Sequence, residues 1–118
     1  MGPNLVIEMQ NTDPSLDYQI LNFKGEFDKA GFSEIKEKLD KVVDEFSKKT
    51  LIFDLTELKY INSEGIGYFM SIHTHFITRG RGLVIVGAKE NIKDIFNAIG
   101  IGEIVKIYSD LNEFINNK

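Results

Sequence analysis

Residues 51–55 constrain the fold most, because they form a short, nearly continuous apolar run directly after a helical pattern. Apolar side chains recur at spacings of three and four from Phe32 to Phe46, which predicts an amphipathic helix. A short apolar strand of this kind suits the centre of a sheet that is covered on both faces, and a preceding helix is typical of a parallel crossover. The chain is therefore predicted to have an α/β fold.

The same alternation extends to both sides of this segment. Residues 5–9 and 18–23 have the pattern of two strands, joined by turn formers within residues 10–17, and are predicted to pair as an antiparallel ribbon. Downstream, the pattern predicts a helix from Ser63 to about Thr78, a strand over 83–86, a helix ended by Gly100, a strand over 104–108 and a closing helix capped by Ser109 or Asp110. Residues 1–118 are thus expected to form a single domain with a mixed central sheet of four or five strands, parallel after the ribbon, and about four helices.

Composition and charge narrow the class of function. The chain has 118 residues, 42% hydrophobic and 27% charged, which is ordinary for one globular domain. Fourteen basic against eighteen acidic residues leave a net charge of −4, so direct nucleic-acid binding is not expected. The absence of cysteine excludes thiolate catalysis and fits a reducing, cytoplasmic location. No apolar run reaches the length of a membrane span.

The motifs that would indicate an enzyme are incomplete, and no cofactor is expected. The glycine pairs lack the third glycine of a dinucleotide fingerprint. His73 and His75 are two residues apart on a predicted helix and point to nearly opposite sides, so they cannot share a metal. A small-molecule or nucleotide-dependent activity stays open as a third hypothesis, for which the sequence shows no recognisable pocket.

Asp54 occupies the position, late in a central strand, where a receiver domain would accept a phosphoryl group. The acidic pair that would hold Mg²⁺ after the first strand is missing from the sequence. Asp54 is therefore predicted to bond to the neighbouring backbone or to Thr56.

Ser63 is the residue of greatest functional interest, because it lies between a buried strand and a new helix. Two roles are open for its hydroxyl. It can cap the helix by accepting bonds from free backbone N–H groups, or it can carry a phosphate that would meet the same donors and the positive end of the helix dipole. An N-cap is likewise the simplest role for Asp28. Residues 25–28 and 60–67 are predicted to emerge together at the carboxyl edge of the sheet.

Two motifs resemble those of a STAS domain. The first is Gly25-Glu26-Phe27-Asp28, directly before the first predicted helix, and the second runs from Phe53-Asp54-Leu55-Thr56 to Asn62-Ser63-Glu64-Gly65-Ile66-Gly67. More narrowly, the chain resembles the bacterial anti-sigma factor antagonists from about residue 5 to residue 116.

This resemblance implies a function in transcription regulation through protein binding, not an enzyme. In the family, the domain docks on an anti-sigma factor that is also a serine kinase, and thereby frees a sigma factor. The kinase phosphorylates the serine at the position of Ser63, docking is lost, and a metal-dependent serine phosphatase restores it. The partner-binding residues implied by motif position and by the neighbouring loop are Gly25, Glu26, Asp28, Tyr60, Ile61, Asn62, Glu64, Gly65 and Ile66.

Some of these residues have more than one interpretation. Gly65 is expected to let the backbone of the partner approach. For Tyr60, Ile61 and Ile66, an exposed apolar docking patch and core packing beneath the loop are both open.

The sequence departs from the family pattern beside the acceptor. The family usually places an aspartate immediately before the acceptor serine, whereas this chain has Asn62 and so lacks a charge there. Glu64 returns a negative charge one residue after Ser63. The alternative function is therefore a constitutive STAS scaffold, or a transporter-associated interaction module, without phosphoregulation.

Overall fold

The computed structural model describes residues 2–10 and 13–118. Its strands are β1 (Leu5–Met9), β2 (Tyr18–Phe27), β3 (Thr50–Ile61), β4 (Gly82–Val86) and β5 (Lys106–Tyr108). Its helices are α1 (Lys29–Glu45), α2 (Ser63–Ile77), α3 (Glu90–Ile99) and α4 (Leu111–Asn117), with a 3₁₀ turn at Ile101–Glu103. The predicted order of elements is confirmed. Residues 11 and 12 of the predicted turn lie outside the described residues.

The five strands form one mixed sheet in the order β1-β2-β3-β4-β5. β1 pairs with β2 antiparallel, and the three other ladders are parallel. The predicted ribbon followed by parallel crossovers is confirmed, and β3 lies at the centre of the sheet. The carboxyl ends of β2, β3 and β4 therefore face the same edge of the domain.

β2 and β3 are longer than the sequence pattern predicts. They were expected to end near residues 23 and 55 but continue to Phe27 and Ile61, pairing with each other throughout. Register shifts interrupt this ladder between Asn22 and Lys24 and again at Gly25. Such bulges interrupt the regular side-chain alternation by which a strand is recognised in sequence. Tyr60 and Ile61 consequently belong to β3 and not to the following loop.

The last strand and last helix also differ slightly from expectation. The predicted strand over 104–108 begins only at Lys106, because Val105 N–H still donates to the carbonyl of Ile101 in the preceding turn. Of the two proposed caps for the closing helix, Asp110 is correct: its Oδ1 accepts from Glu113 N–H at 2.9 Å.

Side chains from both faces of the sheet are buried. α1, α2 and α3 pack over one face on a cluster that includes the closely spaced rings of Phe23, Phe27, Phe53 and Phe69. α4 covers part of the opposite face through Phe114, which joins a smaller cluster with Tyr18, Ile20, Ile52, Val84 and Val86. Ile52 and Phe53 point into different clusters, which confirms that β3 is covered on both faces.

Candidate functional site

Two helices begin side by side at the carboxyl edge of the sheet. Phe27, the last residue of β2, is the ladder partner of Ile61, the last residue of β3. The backbone N–H of Asn62 donates to the carbonyl of Phe27 at 3.0 Å and ties the two strand ends together. The predicted meeting of residues 25–28 with residues 60–67 is thus confirmed.

Each of these helices is capped by the residue directly after its strand. Asp28 Oδ1 accepts from Gly31 N–H at 2.8 Å, so the predicted N-cap role of Asp28 is confirmed. Asn62 Oδ1 accepts from Gly65 N–H at 2.8 Å and caps α2. Capping by Ser63 is therefore wrong: Asn62 fills that position and Ser63 is the first helical residue.

The Ser63 hydroxyl is available at the surface. Both Ser63 and Glu64 are exposed, in the first turn of α2. Among residues 2–10 and 13–118, no hydrogen bond engages the Ser63 hydroxyl. Its position at the start of α2 places it beside free backbone N–H groups and the positive end of the helix dipole. This oxygen can therefore be reached by another protein and can carry an added anion without breaking a contact of the fold.

The side chains around Ser63 divide into surface and core. Tyr60 is 43% exposed, whereas Ile61 and Ile66 are 1% and 3% exposed. The alternative that all three side chains form an exposed apolar patch is wrong, because Ile61 and Ile66 both pack in the main core cluster. Only Tyr60 of the three offers apolar area to a partner.

Gly65 has an internal role instead of a partner-facing one. The residue is buried, and a Cβ built on it would lie 2.6 Å from Phe27 Cδ1 and 2.8 Å from Ile61 Cγ1. The expectation that it admits the backbone of a partner is thus incorrect, since its missing side chain is the space that Phe27 and Ile61 occupy.

Gly25 also has a structural explanation, whereas Glu26 does not. Gly25 has a φ of +116°, and a Cβ there would collide with the carbonyl oxygen of Asn4 at the start of the neighbouring strand. A glycine is therefore required where β2 passes the residue before β1, next to the register shift in its ladder with β3. Glu26 is exposed and is the ladder partner of Tyr60. The two residues form adjoining surface just below the starts of the two helices.

Asp54 is held in a local turn of hydrogen bonds. Its Oδ1 accepts from the Thr56 backbone N–H at 2.9 Å and from Thr56 Oγ1 at 2.6 Å. The predicted bond to Thr56 is confirmed. Gly87, which follows β4 with a φ of +74°, packs so closely on this pair that a Cβ would collide with Thr56 Oγ1.

The described residues, 2–10 and 13–118, lack the features of two other kinds of site. They contain no group of three or more His, Cys, Asp or Glu side chains placed to hold a metal ion. None of the helices in this part of the chain has the length and apolar character needed to cross a bilayer.

The STAS domain family matches this chain over residues 7–114. The chain belongs to the STAS domain family. A relative from Listeria monocytogenes, named anti-sigma-B factor antagonist, is 29% identical over 104 residues, which cover 88% of this chain and 89% of the relative.

Solved structures share the fold of this STAS domain at low sequence identity. An anti-sigma factor antagonist from Mycobacterium paratuberculosis has a TM-score of 0.82 at 16% identity, covering 96% of this chain and 92% of that one. The Bacillus cell fate determinant SpoIIAA in its phosphorylated form has a TM-score of 0.67 at 14% identity, covering 95% and 98%. A sulfate transporter family protein from Wolinella succinogenes has a TM-score of 0.73 at 18% identity, covering 90% and 88%. These likenesses confirm the α/β architecture.

The structure of this STAS domain adds a neighbour that sequence reasoning missed. Asn91, in the first turn of α3, donates from Nδ2 to the carbonyl of Lys59 at 3.1 Å. The start of α3 therefore lies against the end of β3, close to Tyr60. No motif marks this contact, and only the spacing from β4 to the next helix could have suggested that α3 begins at the same edge.

Proposed function

We propose that this STAS domain is an anti-sigma factor antagonist that docks on a serine-kinase anti-sigma factor and is switched off by phosphorylation of Ser63. The observation that carries the proposal is the exposed Ser63 hydroxyl, which the fold leaves unused because Asn62 caps α2. The naming of the Listeria relative as an anti-sigma-B factor antagonist supports the class of partner. A solved relative in a phosphorylated form supports the kind of switch.

The docking surface in this proposal surrounds Ser63 on the exposed side chains of both helix starts. Tyr60 supplies apolar area, and Glu26 and Glu64 supply negative charge. Asp28 and Asn62 are partly buried and order the surface through their caps. Gly25, Ile61, Gly65 and Ile66 support it from beneath. The chain acts here as a binding partner and kinase substrate, without catalytic chemistry of its own.

Phosphorylation should change docking and leave the fold intact. A phosphate adds about −1.5 to −2 charges, and a helix N-terminus stabilises such an anion by about 0.3–1 kcal/mol. The free domain therefore tolerates the group. Burial of that charge against a partner, beside Asp28 and Glu64, costs on the order of several kcal/mol, equivalent to a hundredfold or more in affinity.

Asn62 changes the electrostatics of the switch without changing the cap. Its amide oxygen makes the bond to Gly65 N–H that a carboxylate would make, but it adds no charge beside Ser63. Glu64 is then the acidic residue next to Ser63 in the chain, and Asp28 caps the neighbouring helix at the same edge of the sheet. We infer that the kinase recognises this serine through that altered charge pattern.

The experiment uses the full chain, the purified anti-sigma factor kinase of the source cell and Mg-ATP. Transfer of the γ-phosphoryl group to Ser63 Oγ, with loss of the hydroxyl proton and release of ADP, should give one modified species by intact-mass spectrometry. Ser63→Ala should abolish it. Ser71→Ala is the matched control, since Ser71 is exposed on the same helix. Phosphorylation that persists in Ser63→Ala refutes the assigned acceptor.

A second measurement tests the switch itself. Ser63→Asp is expected to weaken binding to the kinase by about a hundredfold in calorimetry, whereas Ser47→Asp should bind as the wild type does, because Ser47 is exposed before the start of β3, at the opposite edge of the sheet. A metal-dependent serine phosphatase from the same cytoplasm should remove the phosphate and restore binding.

The alternative is a constitutive scaffold or a transporter-associated module. Its specific support is the shared fold with the sulfate transporter family protein from Wolinella succinogenes. Unchanged partner affinity in Ser63→Asp, together with no phosphorylation of the wild type, would favour this second function.

A further inference from the structure

Gly67 lies one helical turn beyond Ser63, and the fold gives no reason for a glycine there. The two residues are four apart on α2 and both are exposed, so they share a face of the helix. Apart from its chain neighbours and the backbone of its own helix, a Cβ built on Gly67 would meet no atom of the described residues within 4 Å. The φ of Gly67 is not positive, so its backbone conformation does not require glycine either. Glycine is less favourable than alanine in a helix interior, so Gly67 lowers the stability of the free domain without improving its packing.

Gly65, two residues earlier on the same helix, differs from Gly67 because the fold does require a glycine there. A Cβ at Gly65 would overlap Phe27 and Ile61, so core packing requires that glycine. Two residues later, the same absence of a side chain leaves open space. The missing atoms at Gly67 can therefore matter only to a molecule that comes from outside.

The surface beside Gly67 is also suited to close approach. No Asp, Glu, Lys or Arg occurs between Glu64 and Arg79, a stretch that contains nearly all of α2. In contrast, the exposed face of α1 carries many charged side chains, including Glu37 and Lys41. The nearest charged residue of α2 is Glu64, three residues before Gly67, so a backbone that lies on the C-terminal side of Gly67 would displace water without stripping a charged group of this helix of its hydration.

We infer that Gly67 is a specificity-determining contact at which the backbone of the anti-sigma factor kinase lies directly against α2. The inference rests on the proposed function, because the occupant is the partner that phosphorylates Ser63. Continuity with Ser63 on one helix face selects this occupant. A methyl group at Gly67 would hold the partner backbone away from the helix, while the free domain would gain helical stability.

The test combines two measurements on the full chain: urea unfolding of the free protein, and calorimetric binding to the purified kinase. Gly67→Ala should raise the unfolding midpoint and weaken binding by about tenfold, the effect of one extra methyl group in a close-packed contact. Gly102→Ala is the control. Gly102 is exposed, and the nearest atom to its built Cβ is Ile107 Cδ1 at 3.8 Å, so kinase affinity should not change.

The outcomes separate this inference from the proposed function. If Gly67→Ala binds as tightly as the wild type, and the wild type is phosphorylated on Ser63, the inference is overturned and the proposed function stands. A loss of affinity accompanied by a loss of stability also overturns it, since a folding defect would then explain the result. If the wild type neither binds the kinase nor is phosphorylated by it, the proposed function fails and the role of Gly67 fails with it.

Discussion

The same substitution at two positions of α2, Gly65→Ala and Gly67→Ala, should change stability in opposite directions. Replacing a helical glycine by alanine stabilises the folded protein by about 0.5–1 kcal/mol when the methyl group has room. Gly67 has that room, because no described atom outside its chain neighbours and its own helix backbone lies within 4 Å of its Cβ position. Gly67→Ala is therefore expected to be more stable than the wild type by about this amount.

Gly65→Ala carries the same change in helix propensity, together with a steric cost. Its Cβ would lie 2.6 Å from Phe27 Cδ1 and 2.8 Å from Ile61 Cγ1. Phe27 and Ile61 are 0% and 1% exposed, so neither can move into solvent. Overpacking of a core costs about 1–3 kcal/mol. Because the propensity terms are similar, the difference in unfolding free energy between the two variants should be about 1–3 kcal/mol in favour of Gly67→Ala.

Urea unfolding monitored by circular dichroism measures this difference, provided that both variants keep the wild-type m-value. In thermal unfolding the midpoints should differ by roughly 4–12 °C for a domain of this size. If Gly65→Ala is as stable as Gly67→Ala to within about 0.5 kcal/mol, the close packing of Phe27 and Ile61 around Gly65 does not limit the fold and the reasoning is refuted.

Two further predictions concern the caps and turns at the carboxyl edge of the sheet. Asn62→Ala should lower the free energy of unfolding by about 1 kcal/mol through loss of the cap on α2, whereas Ser63→Ala should stay within about 0.5 kcal/mol of the wild type. A urea titration in which Ser63→Ala is the more damaging change would contradict the assignment of the cap. Gly87→Ala should destabilise by more than about 1 kcal/mol, because its φ is +74° and its Cβ would collide with Thr56 Oγ1. If Gly87→Ala has the same thermal midpoint as the wild type, the turn at Gly87 can rearrange at no cost and the prediction is wrong.

Prediction from sequence succeeded where a local pattern carries the information. The periodicity from Phe32 to Phe46 identified α1, and the apolar run at residues 51–55 identified the central strand. Prediction failed where pairing between distant segments determines the end of a strand. The extension of β3 to Ile61 depends on a bulged ladder with β2, whose residues lie more than thirty positions earlier in the chain.

The candidate site divides in the same way. The type and position of Asp28 were sufficient to identify it as an N-cap. For α2, Asn62 and Ser63 are both good capping residues, and their order alone does not show which one precedes the first helical turn. The geometry at the end of β3 selects Asn62 and leaves Ser63 exposed.

The amino-acid sequence by itself determined the α/β class, the order of strands and helices, and the placement of Ser63 at a helix start. These features depend on periodicity and turn chemistry within a few neighbouring residues. Only the tertiary structure decided that Ile61 and Ile66 belong to the core, that Gly65 fits against Phe27, and that Gly67 faces open space. The physical reason is that burial is set by contacts between β2, β3 and α2, which are distant in the chain and meet only when the sheet forms.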